Sequence, residues 1–402
     1  MRTEGGLQRL LPVALASAIL LNILVDWTLR YWPAAVGIAG ISLVALVWVL
    51  SARHIVLPPE TALVALIGVW GPLQLSFHTS VLPVLTVRNS LVWMMSAVTF
   101  VLASQILRGK TARQLFLRSV LWVTTAIAVI AMLQATMAPV RVFGIFAAES
   151  SVVGTMYYKN HFAALMELVA PIALWEIRNG KVLKGGLCYA ALFAATITSL
   201  SRAGTIGVLA ELVIFLVIMV SSRQWSMQAA LGIIGALLLM VAGASAIAGT
   251  ERLWDRMQES SPYHLRAQVA RSTVDMIAER PWFGFGMGAW RPAYRRFARL
   301  DDRLIMNEAH NDLAQWASEG GIPFLLLIVG LTAWLGRRIF QSVWALGLIV
   351  VLAHCYVDYA LRTPPLLFLW FAIAGMVAGA GVEAGPDRLD KRRDMAARWW
   401  KL

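Results

Sequence analysis

The sequence predicts an all-α integral membrane protein with about 12 membrane-spanning helices, and three observations carry that prediction. Of the 402 residues, 59% are hydrophobic and 14% are charged, whereas a soluble domain is about one-quarter charged. Apolar runs close to spanning length recur along the chain. Cations concentrate on alternate connections between those runs, as orientation in a membrane requires.

The runs are Leu7–Leu29, Trp32–Ala52, Thr61–Phe77, Val84–Leu107, Leu115–Met137, Phe162–Ile177, Val182–Leu200, Thr205–Ser221 and Ser226–Ala248. A long polar stretch then precedes Ile322–Leu335, Val343–Tyr359 and Leu366–Val382. The chain thus divides into spans over 1–249, a polar segment over 250–321, further spans over 322–384 and a tail over 385–402. The first run is long for a secretory signal and is followed at once by another, so it reads as a span.

Net charge is +13, but no soluble basic module is present, which argues against nucleic-acid binding. One set of connections holds Arg2, Arg9, Arg53, Arg108, Lys110, Arg113, Arg178, Lys181, Lys184, Arg223, Arg337 and Arg338. The opposite set has isolated cations only, Arg88, Arg141, Lys159, Arg202 and Arg362. This asymmetry puts both termini in the cytoplasm and segment 250–321 on the outer, periplasmic face of a bacterial inner membrane. The basic tail with Trp399-Trp400 suits an anionic leaflet, so membrane lipids are expected partners. Cys188 and Cys355 lie in apolar runs and read as packing residues.

The outer segment carries the chemistry. A helix starting at Ser261-Pro262, with an apolar stripe of Leu265, Val269, Met276 and Ile277, is expected to lie along the membrane interface. Gly284-Phe285-Gly286-Met287-Gly288 is a glycine-rich turn that shapes either the chain alone or also the wall of a site. It lacks the preceding strand of a dinucleotide fingerprint. Asn307 is the expected N-cap of a short helix with His310 in its first turn. There the helix dipole keeps the imidazole neutral, as a general base must be. A hydrogen-bonded structural histidine is the plain alternative.

The arginines favour the base. Arg88, Arg141, Arg202 and Arg280 share the outer face, and isolated cations there suit phosphate oxygens. The run Arg291, Arg295, Arg296, Arg299 and Arg303 has Asp301, Asp302 and lipid headgroups as candidate counter-charges. No metal or other cofactor is expected. Glu308, His310 and Asp312 alternate, HExxH spacing is absent, and no Asp-x-Asp pair occurs.

Taken together, Tyr-Tyr-Lys-Asn-His-Phe-Ala at 157–163, Ser-Arg-Ala-Gly at 201–204 and Arg-Pro-Trp-Phe-Gly-Phe-Gly-Met-Gly at 280–288 form one part of a recognisable pattern. His-Asn-Asp-Leu at 310–313 and Glu-Gly-Gly-Ile at 319–322 complete it. The whole resembles the O-antigen ligase/polymerase superfamily of bacterial inner-membrane glycosyltransferases, whose module would cover roughly residues 150–340. The resemblance implies a GT-C-like architecture and a periplasmic active site using undecaprenyl-diphosphate-linked glycans. It makes His310 the catalytic histidine and Arg202 and Arg280 the diphosphate-binding arginines. Lys159, His161, Gly284, Gly286 and Gly288, with Arg88 and Arg141, are then expected around the substrate.

The expected reaction is metal-independent, inverting transfer to lipid A–core, as in an O-antigen ligase. A polymerase of O-antigen or exopolysaccharide, or a protein O-oligosaccharyltransferase, would use the same donor. A transporter of a lipid-linked anion is the alternative from another class.

Overall fold

The computed structural model describes residues 6–28, 32–52, 54–137, 140–149, 151–248, 261–299 and 306–383. The basic tail, Asp301, Asp302 and Arg303 lie outside the described residues. The structure is 75% helical with almost no strand. Helices α1 (Gly6–Val25), α2 (Trp32–Ser51), α3 (Thr61–Ser76), α4 (Pro83–Ile106) and α5 (Lys110–Gln134) come first. A two-strand hairpin follows, β1 (Arg141–Val142) with β2 (Phe146–Ala147). Then come α6 (Lys159–Arg178), α7 (Val182–Thr198), α8 (Arg202–Ser221) and α9 (Met227–Ala248). The polar segment supplies α10 (Ser261–Glu279) and the short α11 (Trp290–Tyr294). It leads into α12 (Asp312–Gln341), α13 (Gly347–His354) and α14 (Pro364–Glu383).

Helices α2, α4, α5, α8 and α12 are long and apolar enough to cross a membrane, and shorter apolar helices accompany them. The chain is a multi-pass membrane protein. Two helices form the centre of the bundle. In α6 every residue from Phe162 to Leu174 is buried, and in α14 every residue from Leu366 to Ala378 is likewise buried. Helices apolar on every side take such central positions. Close packing of α14 on α4 follows from Gly375 and Gly379, one turn apart. A Cβ there would lie 2.2 Å from the Phe100 carbonyl oxygen and 2.4 Å from that of Ser104. Small residues at this spacing let two backbones approach closely in a membrane.

Three expectations change. The stripe on α10 does not face the membrane interface: Val269 and Met276 are buried in a cluster with Phe285, Trp290, Ala293, Tyr294 and Ala309. A tryptophan partner makes this possible, with the Trp290 indole N–H donating to Thr273 Oγ1 at 3.2 Å. The outer helix and the tenth apolar run are one element, α12, kinked at Gly321 (φ 81°, ψ 169°) ahead of Pro323. The eleventh run does not form one helix. It breaks into a single 3-10 turn (Val343–Ala345), α13, and a connection over 355–363 that Pro364 and Pro365 end by starting α14.

Candidate active site

The connection over 355–363 organises one end of the bundle. Asp312, the first residue of α12, fastens to it twice. Its amide donates to Cys355 O at 2.8 Å, and its Oδ2 accepts from the Leu361 amide at 2.8 Å. Thr363 Oγ1 donates to Asp26 Oδ2 at 2.8 Å, tying in the end of α1. Asn311, rather than Asn307, is the N-cap of α12, its Oδ1 accepting from the Ala314 amide at 2.9 Å. His310 therefore precedes the helix instead of lying in its first turn. It holds a left-handed backbone at φ 53°, a conformation non-glycine residues adopt mostly under tertiary constraint, often at functional sites.

That backbone sets His310 against Asp358 and Tyr359. Its Nδ1 lies 3.6 Å from Asp358 Oδ1, an ion-pair rather than hydrogen-bond distance. The ring meets Tyr359 edge-on with centroids 5.0 Å apart. Asp358 is buried and held from several sides. Asn160 Nδ2 donates to its Oδ2, Arg266 Nη2 reaches the same oxygen at 3.4 Å, and the Tyr359 amide donates to Oδ1 at 2.9 Å. Burial acts to raise the Asp358 carboxyl, but His310, Arg266 and the Tyr359 amide outweigh it and hold the group below the ordinary carboxylate range. The carboxylate thus lies on the Nδ1 side of the ring, the side from which an acid orients an imidazole.

A depressed carboxylate has a stated pH signature. Its contribution to stability is complete above the unfolded value of about 4 and is lost as pH falls through the lower folded value. The Tm difference between wild type and Asp358→Asn is therefore expected to be largest near neutrality and to shrink below about pH 4. A difference that is constant from neutral to acid pH would contradict this.

His161 joins the same loop. Its Nε2–H donates to the Tyr359 carbonyl at 3.1 Å, and its ring packs edge-on against both Tyr158 and Tyr359, which stack at 5.2 Å. A pocket of about 290 Å³ opens beside His310, lined by Tyr158, Lys159, Leu265, Arg266, Val269 and Met306. The structure thus brings His310, His161 and Lys159 together.

The four arginines sit at separate places in the chain, three of them on elements and Arg280 just after α10. Arg88 is on α4, and Arg141 is on β1 with Nη1 donating to Ile145 O at 3.3 Å. Arg202 is the first residue of α8, behind Ser201, whose hydroxyl accepts from the Gly204 amide. Arg280 donates to Thr79 O at 3.1 Å and lies over the Phe285 ring at 4.7 Å. None of the four lines the His310 pocket, where the cations are Lys159 and Arg266. In the basic run, Arg296 pairs with Glu279 and Arg299 with Asp275, both acids of α10.

The glycine turn wraps a protein carboxylate. Gly284, Gly286 and Gly288 all have positive φ. Every amide from Gly284 to Trp290 is bonded within the protein. The acceptors are Arg280 O, Ser318 O, Glu319 O, Gln74 Oε1, Glu319 Oε2, Gly286 O and Glu319 Oε1, in order. No amide of this turn is left for a phosphate. It is the wall around Glu319, whose carboxylate also takes both terminal nitrogens of Arg362 at 2.8 and 3.1 Å. Arg362 Nε reaches Glu308 at 3.2 Å, and Gln315 bridges the two glutamates.

Gly284→Ala is expected to lower Tm sharply, since a Cβ at φ 62° would lie 2.5 Å from the carbonyl oxygens of Ser318 and Glu319. The strained backbone alone costs on the order of 1–3 kcal/mol. Gly186→Ala, with open space around it, is the comparison; equal Tm values for the two variants would refute this account.

Sequence reasoning does not single out Asp358, Tyr359 or Arg266, and it holds Glu319 only as part of the Glu-Gly-Gly-Ile pattern, with no role assigned. A signal for Asp358 is present, an acidic residue at the end of the apolar run Val343–Tyr359. A family model described as O-antigen ligase matches residues 187–329. The match spans α7 to the first half of α12, so it includes Arg202, Arg280, the glycine turn and His310 and leaves out Lys159, His161 and Asp358. It supports the O-antigen ligase superfamily and, with it, a ligase- or polymerase-type membrane enzyme. No curated protein matches the chain.

Proposed function

We propose, on the match of an O-antigen ligase family model to residues 187–329, that the chain transfers a glycan from undecaprenyl diphosphate to lipid A–core at the periplasmic face of a bacterial inner membrane. One observation carries the reading: His310 stands on left-handed backbone with Nδ1 turned toward the buried, ionised Asp358. Such a pair orients a general base. His310 Nε2 removes the proton of an acceptor hydroxyl, and the hydroxyl oxygen attacks the anomeric carbon. Direct displacement inverts that centre, with no metal ion taking part. Arg202 and Arg280, with Arg88 and Arg141, are the cations assigned to the leaving diphosphate. Asp358 is a positioning residue for the base.

The full bundle in this reading has about 12 spans, a GT-C-like architecture and both termini in the cytoplasm. Purified protein given lipid-linked donor and lipid A–core tests the reaction. Glycan on the core supports a ligase; lengthening on the carrier without transfer to the core makes the chain a polymerase and sinks the ligase assignment. Topology is tested separately with single cysteines. One near Arg291 is expected to react with an impermeant thiol reagent from outside, and one near Lys181 is not. The reverse pattern would put the proposed site on the wrong side of the membrane.

A further inference from the structure

Between α5 and α6 the chain forms the β1–β2 hairpin, which the site leaves unused apart from Arg141. From Met137 to Ala148 the sequence holds no acidic residue and one cation, Arg141. The two turn residues, Phe143 and Gly144, have φ of 54° and 72°, and the Ile145 amide donates to the Val142 carbonyl at 3.1 Å. That is a type I′ turn, where asparagine, aspartate and glycine are the favoured residues. Phenylalanine on left-handed backbone is an outlier for a side chain of its bulk. Here it stands at the tip of the hairpin, 39% exposed, with Ile145 beside it 70% exposed and Phe146 49% exposed. A polar residue at position 143 would suit both the turn and water, so an aromatic ring there is disfavoured on two counts unless its surroundings are apolar.

Bonding within the hairpin covers polar backbone groups of both strands. Arg141 pairs with Ala147 and Val142 with Phe146, the Ala148 amide donates to the Val140 carbonyl at 3.1 Å, and the Ile145 carbonyl accepts from Arg141 Nη1 at 3.3 Å. A segment that enters lipid must bond its backbone internally in this way. The ends of two helices of the bundle set its height. Gln134, the last residue of α5, donates from Nε2 to the Arg141 carbonyl at 3.1 Å. Trp27, just past α1, stacks on Phe146 with ring centroids 5.6 Å apart. Tryptophan is enriched at the boundary between membrane and water. Leu133 and Met137, at the end of α5 and just beyond it, are also exposed, so apolar surface leads from the span to the hairpin.

We propose that the β1–β2 hairpin inserts into the membrane, with its tip at Phe143 and Ile145 among the acyl chains of the adjoining leaflet. Lipid is the occupant that the observations favour. It takes the exposed ring and branched side chain out of water, it tolerates a tip without charge, and it offsets the unfavourable turn residue. Arg141, folded back over the Ile145 carbonyl, then lies at headgroup height, where lipid phosphates are found. Insertion is independent of the glycan chemistry and holds whether or not the chain is a transferase.

Spin labelling of the full chain in phospholipid vesicles tests the insertion. Oxygen concentrates in the acyl region and a nickel chelate stays in water, so the relaxation each causes reports the surroundings of a label. A label on Ile145→Cys is expected to respond to oxygen as strongly as one on Leu43→Cys, at an exposed position midway along α2, and to be shielded from nickel. A label on Asn179→Cys, in the exposed turn after α6, is expected to show the opposite order. Wild-type protein controls for Cys188 and Cys355, both buried. Adding Phe143→Asp to Ile145→Cys is expected to shift the label toward the Asn179 pattern, since a charge at the tip opposes entry into lipid. A label on Ile145→Cys that follows the nickel chelate overturns the insertion. So does one shielded from both reagents, which would mean that a second copy or another protein covers the tip. An unchanged response on adding Phe143→Asp also overturns it, because the tip would then not be what meets the lipid.

Discussion

His310→Ala is expected to reduce glycan transfer by on the order of 10²–10⁴-fold, the usual contribution of a positioned general base, while carrier binding stays at the wild-type level. The two readouts separate because a general base acts on the acceptor hydroxyl, not on the carrier's diphosphate. Asp358→Asn is expected to lose on the order of 10²-fold in kcat through misplacement of the ring, with KM for donor unchanged. The carboxylate acts only through His310, so the double variant should be no slower than His310→Ala alone; effects of residues that work as a unit do not add. Full transfer by His310→Ala, or additive losses in the double variant, would remove the dyad from the mechanism. A transporter would also retain its flux in His310→Ala, so the experiment addresses that class as well.

The helices were legible because each needs only its own apolar run and a stop signal. Trp32–Ser51 and Thr61–Ser76 fall almost where the runs place them. The cap of α12 was not, since Asn307 and Asn311 are equally good N-caps by pattern. The choice is made by a distant contact, the Asp312 amide on Cys355 O. The same holds for Asp358, which reads as the polar end of an apolar run until Asn160, Arg266 and His310 converge on it. Isolation in sequence also misled the charge reading. Arg362 has no acidic residue beside it in the chain, yet in space it is wedged between Glu308 and Glu319. The family pattern pointed to His310 and to the glycine turn without saying that the turn's own amides are used up on Glu319.

Arg362→Met is the substitution expected to do most damage to the fold. Its side chain is 16% exposed and that of Glu319 is fully buried. Burial disfavours the guanidinium charge, but Glu308 and Glu319 outweigh it and keep the group protonated. Removing the arginine leaves two carboxylates facing each other across Gln315, at a cost of about 3–5 kcal/mol for an uncompensated buried charge. Lysine is a poor replacement, because it lacks the planar fork that spans both oxygens of Glu319 while Nε reaches Glu308. Glu319→Gln alone should also destabilise, since the amides of Gly288 and Trp290 would share a single remaining oxygen. The double variant Arg362→Met/Glu319→Gln removes both charges and is expected to recover part of the loss, a positive coupling between neighbours. Thermal unfolding in detergent measures all three. Arg362→Met unfolding at the wild-type Tm would mean the network contributes nothing, and a double variant at the sum of the single losses would mean the two groups act independently. Because Glu319 also fixes the glycine turn and Gln315 fixes Ala309, next to His310, the same variants tie the stability of this network to the placement of the base.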